Sequence, residues 1–179
     1  MIEREIGSFL DREIDLSLEN DLTRGVLQSL KDYTLNGGKR VRGTLVLMGY
    51  RSVGGTDISR ARLASVGLEL IQSMLIIHDD IIDRSDERRG RDSFHIEYSK
   101  KGREMDILGD PDRFGENMAV ISGDLAEAYG EKAILETGFP PERVHKALKA
   151  QADMIRDTGF GQILDIYSGQ LEKWGEEDV

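Results

Sequence analysis

Four aspartates and three arginines crowd the stretch Leu75–Gly90, "LIIHDDIIDRSDERRG", against an almost unbroken apolar run. Asp79 and Asp83 are four positions apart, so a helix would set both on one face, one turn apart, with Asp86 continuing the stripe at i+7. Two carboxylates at that spacing suit a hard divalent cation. Mg²⁺ takes one or two protein carboxylates, keeps several waters and completes its shell from phosphate oxygens, so such a metal would bring a polyphosphate with it. Asp80 points about 100° away around the helix axis, where it supports that shell or pairs with Arg84 at i+4. The competing reading is a solvated face of Asp–Arg pairs, each worth a few tenths of a kcal/mol. Against it stands the position of the acids, inside the most apolar helical segment of the chain.

Two basic elements accompany the acids. In "GGKRVRG", Gly37–Gly43, two glycines free the backbone for close approach, and Lys39, Arg40 and Arg42 follow at the start of the next helix. This is either an anion site or a helix stop followed by a basic surface patch. It is not a P-loop: Tyr33 stands where the first glycine would be, and Arg40 where Ser or Thr would bind metal. Arg88-Arg89-Gly90 lies two turns beyond Asp80, and its guanidinium forks match phosphate oxygens. Lys39, Arg40, Arg42, Arg84, Arg88, Arg89 and Arg91 are seven of the 24 basic residues, gathered in two short stretches of a chain that is otherwise acidic. A metal-bridged phosphate site beside a metal-free anion site accounts for that clustering.

The elements that position these residues read as helices. Leu16, Leu22, Val26, Leu27 and Leu30 line one face, and Asn36-Gly37-Gly38 stops that helix near residue 36. A second helix is predicted over about 41–53, ending at Gly54-Gly55. A third starts near Asp57 or Ser59 and runs without proline to about Asp86; its length decides for helix over buried strand, and its apolar residues on nearly every side make it central. A short helix follows around 94–100, then a loop over Gly102–Gly115, then helices over about 116–137 and 141–158, the latter opening on Pro141. A last helix starts near Gly161, and the acidic segment "GQLEKWGEEDV" ends the chain as a new helix begins. With three prolines and no alternating run, little room is left for sheet. The prediction is one all-α domain over 1–179, a bundle of long, mostly antiparallel helices cut short at its C-terminus.

Composition narrows the function classes. The net charge is -10, from 34 acidic and 24 basic residues, which disfavours nucleic acid and anionic lipid as partners. No cysteine is present, which excludes disulfides, thiolate catalysis and Cys-ligated zinc. The N-terminus is too charged for a signal peptide, and no uninterrupted apolar run reaches the ~18 residues of a membrane span. A cytoplasmic protein is expected.

Taken in order and at their spacing, "GGKRVR", "ELIQ", "DDIID", "RRG", "ISGDLAEAYG" and "GQILDI" closely resemble the trans-polyprenyl diphosphate synthases, the farnesyl and geranylgeranyl diphosphate synthase family, from about residue 30 onward. The resemblance implies an isoprenoid synthase-type fold and a homodimer. It implies that Asp79 and Asp83 ligate Mg²⁺ bridging an allylic diphosphate, with Asp80 in support and Arg88 on the same diphosphate. Lys39, Arg42, Arg89 and Gln72, a position that is His in many members, would hold isopentenyl diphosphate. The implied reaction is head-to-tail prenyl transfer: the allylic C–O bond breaks, the isopentenyl double bond attacks the carbocation, and a proton leaves to the departing diphosphate. Met74 and Leu75, five and four positions before Asp79, would form the floor under the growing chain. In the family it resembles, aromatic residues at these positions tend to stop growth at farnesyl, so the resemblance implies that Met and Leu let the chain reach geranylgeranyl diphosphate.

The family's second aspartate-rich motif and its downstream lysine do not occur in these 179 residues, and neither Asp165 nor Asp178 replaces them. The chain alone is therefore expected to be inactive. Two other functions compete: a non-catalytic partner of a full-length synthase, and a terpene cyclase, against which the isopentenyl motif argues.

Overall fold

The computed structural model describes residues 1–16 and 20–170. Seven α-helices and one two-stranded hairpin account for most of them: α1 (Ile2–Leu16), α2 (Asp21–Leu35), α3 (Val41–Ser52), α4 (Ile58–Ile82), β1 (Glu87–Arg88), β2 (Arg91–Asp92), α5 (Phe94–Glu104), α6 (Pro111–Leu135) and α7 (Pro141–Ser168). The all-α class read from the sequence is what the structure has. Two compact units divide the chain, 1–138 and 139–179.

In the first unit α4 is the axis, packed against α6, α3 and α1. It buries Val66, Leu70, Ile71, Met74 and Ile77, and it meets Ile2, Ile6, Phe9 and Leu10 of α1 and Ala133 of α6 in one apolar cluster. The approach of α4 to α6 is set by two glycines. A Cβ at Gly67 would sit 2.8 Å from the Gly130 carbonyl oxygen, and one at Gly130 would sit 3.0 Å from that of Gly67. By length and composition α4 could cross a membrane, but 56% of its apolar window is buried inside the protein, as in a core helix.

Several predicted boundaries move. The face drawn through Leu16 and Leu22 belongs to two helices, because α2 starts afresh at Asn20, whose side chain accepts from Leu22 N–H at 2.8 Å; both leucines are exposed. Helix α4, capped by Asp57 as predicted, ends at Ile82 rather than near Asp86. The loop expected over Gly102–Gly115 shrinks, since α5 reaches Glu104 and Asp110 caps α6 with Pro111 at its first position. The helix expected to begin at Gly161 is a continuation of α7, 28 residues long. The acidic motif Glu176-Glu177-Asp178 lies outside the described residues.

Candidate active site

Helix α4 closes in a Schellman turn: Arg84 N–H donates to Ile81 O at 3.3 Å and Ser85 N–H to Asp80 O at 2.9 Å, with Arg84 left-handed at φ 54°. This turn parts Asp86 from the stripe. Asp79 and Asp83 remain one turn apart, joined by the Asp83 N–H to Asp79 O bond of 2.8 Å, while Asp86 leaves the helix and its carbonyl accepts from Ser93 N–H at 2.9 Å. Asp83 is exposed and the Asp79 side chain is 39% exposed. Both carboxylates sit at the negative end of the helix dipole, which adds to their preference for a cation.

Asp80 is fully buried and committed. Its Oδ1 accepts from Arg88, through Nε at 2.8 Å and through Nη2, and its Oδ2 accepts from the Tyr33 hydroxyl at 2.8 Å. The pairing predicted with Arg84 is thus replaced by one with Arg88. Arg88 Nη2 also stands 3.7 Å from Asp79 Oδ2, so one guanidinium faces both neighbouring acids. The hydrogen bond to Asp80 raises the pKa of Arg88, and burial, followed by the bond to Asp80, pushes the Tyr33 phenol far above its ordinary range.

The arginine pair is the end of a hairpin. Strands β1 and β2 pair antiparallel with Arg88 opposite Arg91, and the two turn residues between them, Arg89 and Gly90, have φ 55° and 73°. Positive φ at both positions is the type I′ pattern that fits strand twist. The turn aims the two arginines at different targets. Arg88 meets the acids, whereas Arg89 Nη1 donates to the carbonyls of Asn36 at 3.0 Å and Gly37 at 3.1 Å. Gly38, at φ 98°, admits it: a Cβ there would lie 3.1 Å from Arg89 Nη1. Glycine loop and hairpin are thereby tied together across 52 positions of sequence.

Beyond the glycines the chain enters α3 through Arg40, left-handed at φ 49°. Arg40 turns inward to Glu69, Nη1 to Oε2 at 3.4 Å, and Glu69 Oε1 accepts the Gly43 N–H of α3's first turn at 2.8 Å. Lys39 and Arg42 are exposed, with no side-chain partner among the described residues. Both are available to a ligand. Gln72, on α4, lines a cavity of about 20 Å³ together with Tyr33, Arg40, Ser73, Arg88 and Arg89. Met74 is buried and Leu75 half-buried one turn before the acids.

Among the described residues no group of three or more acidic or histidine ligands surrounds a metal position. The donor set of Asp79 and Asp83 suits Mg²⁺ rather than zinc or a soft metal, provided waters and phosphate oxygens supply the remaining positions. These two residues would hold the ion. Sequence spacing groups the residues of the acidic and basic stretches, but it misses Tyr33, since no local rule relates positions 33 and 80. Glu69 carried a signal, as an acid within an apolar helical segment.

The polyprenyl synthetase family model matches residues 24–178. The chain is 33% identical over 166 residues to a chloroplastic geranylgeranyl pyrophosphate synthase of Arabidopsis thaliana, covering 89% of this chain and 41% of that protein. It is 28% identical to a short chain isoprenyl diphosphate synthase of Methanothermobacter thermautotrophicus, covering 98% and 49%. Among solved structures, the geranylgeranyl pyrophosphate synthase of Corynebacterium glutamicum, complexed with isoprenyl diphosphate and magnesium, superposes with a TM-score of 0.87 at 30% identity, over 96% of this chain and 50% of that one. The chain spans about half the length of the curated relatives it matches.

Proposed function

The chain belongs to the polyprenyl synthetase family, and on that premise we propose that it serves Mg²⁺-dependent head-to-tail prenyl transfer, in which isopentenyl diphosphate is joined to an allylic diphosphate to give a short-chain product such as geranylgeranyl diphosphate. The observation that carries the proposal is the cross-tie of Arg89 to the Asn36 and Gly37 carbonyls. It sets the glycine loop and the start of α3, with Lys39 and Arg42 exposed, beside the acids at the end of α4.

In this reading Lys39, Arg42, Arg89 and the Gln72 amide bind the isopentenyl diphosphate, and Arg88 orients the allylic diphosphate. Asp79 and Asp83 hold Mg²⁺, which when bound neutralises charge on the leaving diphosphate. Asp80, lacking a free oxygen, fixes Arg88. Guanidinium groups held in place before the reaction stabilise charge where it develops, without reorganisation. Met74 and Leu75 line the path of the growing apolar chain and exclude water from it. A homodimer in the cytoplasm belongs to the same proposal.

The 179 residues by themselves should bind isopentenyl diphosphate but turn over poorly, since among the described residues only Asp79 and Asp83 are offered to the metal. The test is calorimetric titration with isopentenyl diphosphate, with and without Arg42→Ala, alongside an assay with Mg²⁺, labelled isopentenyl diphosphate and geranyl diphosphate. Binding that Arg42→Ala abolishes supports the proposal, and no binding by the unmodified chain overturns it. Turnover on the order of 1 s⁻¹ or more overturns the inactivity. The small acidic donor set also favours a second reading, a non-catalytic partner of a complete synthase. Under that reading, adding the chain to such a synthase changes its rate or product.

A further inference from the structure

We infer that the cavity beside Gln72 holds one ordered water, through which Arg40, itself held by Glu69, positions the Gln72 amide; the proposed function is needed only to identify the anion that this amide serves. Two buried polar atoms carry the argument. Among the described residues Arg40 Nη2 and Gln72 Oε1 both lack a hydrogen-bond partner, although the Arg40 side chain is only 10% exposed. Buried polar atoms are rarely left unmet. One of these is a pure donor and the other a pure acceptor, and both residues line the same cavity of about 20 Å³.

That volume suits a single water, which needs roughly 10–15 Å³ and two to four polar partners. A water accepting from Arg40 Nη2 and donating to Gln72 Oε1 satisfies both atoms, and Ser73, which lines the same cavity, offers a further hydroxyl. The remaining contacts of Arg40 leave Nη2 for this purpose: Nε faces Glu3 Oε1 at 3.4 Å and Nη1 faces Glu69 Oε2 at 3.4 Å. Glu69 cannot follow a wandering arginine, because its other oxygen accepts the Gly43 N–H at 2.8 Å and a Cβ at Gly43 would already lie 3.2 Å from it.

The consequence falls on the orientation of one amide. With Oε1 anchored inward, Gln72 presents its Nε2, two donors and no acceptor, to whatever meets its other edge. Released, the amide could turn over and offer a carbonyl oxygen to an incoming diphosphate, which repels it. Arg40 thus differs from its neighbours Lys39 and Arg42. It is a positioning residue that acts through Gln72.

A double-mutant cycle on the whole chain tests this. Isopentenyl diphosphate is titrated calorimetrically into the unmodified chain, Arg40→Met, Gln72→Met and the double variant. Arg40→Met should weaken binding about tenfold, the effect of one buried hydrogen bond, and cost no more than about twofold in the Gln72→Met background, where nothing remains to position. Equal losses in both backgrounds, or none in either, overturn the inference. To retain the positive charge, Arg40→Lys is run in parallel: the shorter lysine lacks the planar guanidinium fork that reaches Glu69 and the water from two separate nitrogens, so the same coupling to Gln72 is expected. Side-chain NMR supplies the arm that does not depend on binding. The Gln72 NH₂ pair, identified by its loss in Gln72→Met, should return in Arg40→Lys to the position of exposed glutamines. If the unmodified chain binds no isopentenyl diphosphate while this resonance moves, the positioning stands and the functional proposal falls. An unmoved resonance overturns the positioning itself.

Discussion

The Tyr33 hydroxyl donates to Asp80 Oδ2 at 2.8 Å, joining the helix that leads into the glycine loop to the helix that bears the acids. Tyr33 also meets Phe94 edge-on, with centroids 5.8 Å apart. Removing the hydroxyl alone leaves a fully buried carboxylate oxygen unsatisfied. Tyr33→Phe should lower stability by about 1–3 kcal/mol, read from urea unfolding at neutral pH; an unchanged midpoint would mean that the bond contributes nothing net.

The same phenol dictates behaviour in alkali. Its folded pKa is raised above its unfolded value of about 10 by burial first and then by the bond to Asp80. In that window the folded state binds the extra proton, so stability falls as pH rises. Tyr98 and Tyr129, raised by burial, and Lys132, raised by its bond to Glu13, act with the same sign. Unfolding measured above pH 10 should show Tyr33→Phe with a slope shallower by about 1.4 kcal/mol per pH unit. Parallel slopes would remove Tyr33 from the titration.

Asp79 and Asp80 are adjacent yet should fail differently. Asp79→Ala should abolish the Mg²⁺-dependent part of geranyl diphosphate binding with little change in stability. Asp80→Ala should cost about 3–5 kcal/mol, because it strips a fully buried acid from Arg88 and Tyr33. Equal effects of the two variants on metal dependence would return Asp80 to the metal.

How much of this the sequence contains depends on distance along the chain. Helical spacing is a local property, so the centrality of α4 and the shared face of Asp79 and Asp83 follow from the residues themselves. The end of α4 does not, because Arg84 takes the left-handed position where glycine or asparagine would have announced the stop. The Arg84 pairing expected for Asp80 fails for that reason: past Ile82 the i+4 rule no longer applies, and the hairpin brings Arg88 instead. Helix α1 is the opposite case. Ile2, Ile6, Phe9 and Leu10 recur at helical spacing and are buried, but the charges between them mask the pattern. Tyr33 and Arg89 find their partners only after the helices have packed.

Met74 is buried and Leu75 half-buried, which separates their expected behaviour. In a chimera joining this chain to the C-terminal half of a relative, phenylalanine at either position should shift product from geranylgeranyl toward farnesyl length, analysed by chromatography. Met74→Phe should also cost about 1–3 kcal/mol through overpacking, and Leu75→Phe should not. If neither shortens the product, the floor lies elsewhere.

Gly67→Ala probes the core. Its Cβ would lie 2.7 Å from Ile134 Cγ1 and 2.8 Å from the Gly130 carbonyl oxygen, so α4 and α6 must separate. A loss of about 1–3 kcal/mol or more is expected, far above any gain in helix propensity. Unchanged thermal unfolding would refute this packing.

Arg88 and Arg89 are covalent neighbours that serve opposite sides, one at the end of a strand and the other in a turn that demands positive φ. Their assignment is therefore a matter of counting. With the hairpin held in place, adding one residue between Asp83 and Arg88 would move Arg88 into the turn toward the loop carbonyls and put Glu87 beside the carboxylates, whereas deleting one would bring Arg89 to the carboxylates and leave Gly90 to open the turn. The segment "RSDE" is thus a ruler as well as a linker. Among the described residues its side chains form no tie to Asp80, whose partners are Tyr33 and Arg88, whereas its length cannot change without moving one of the two arginines out of its place.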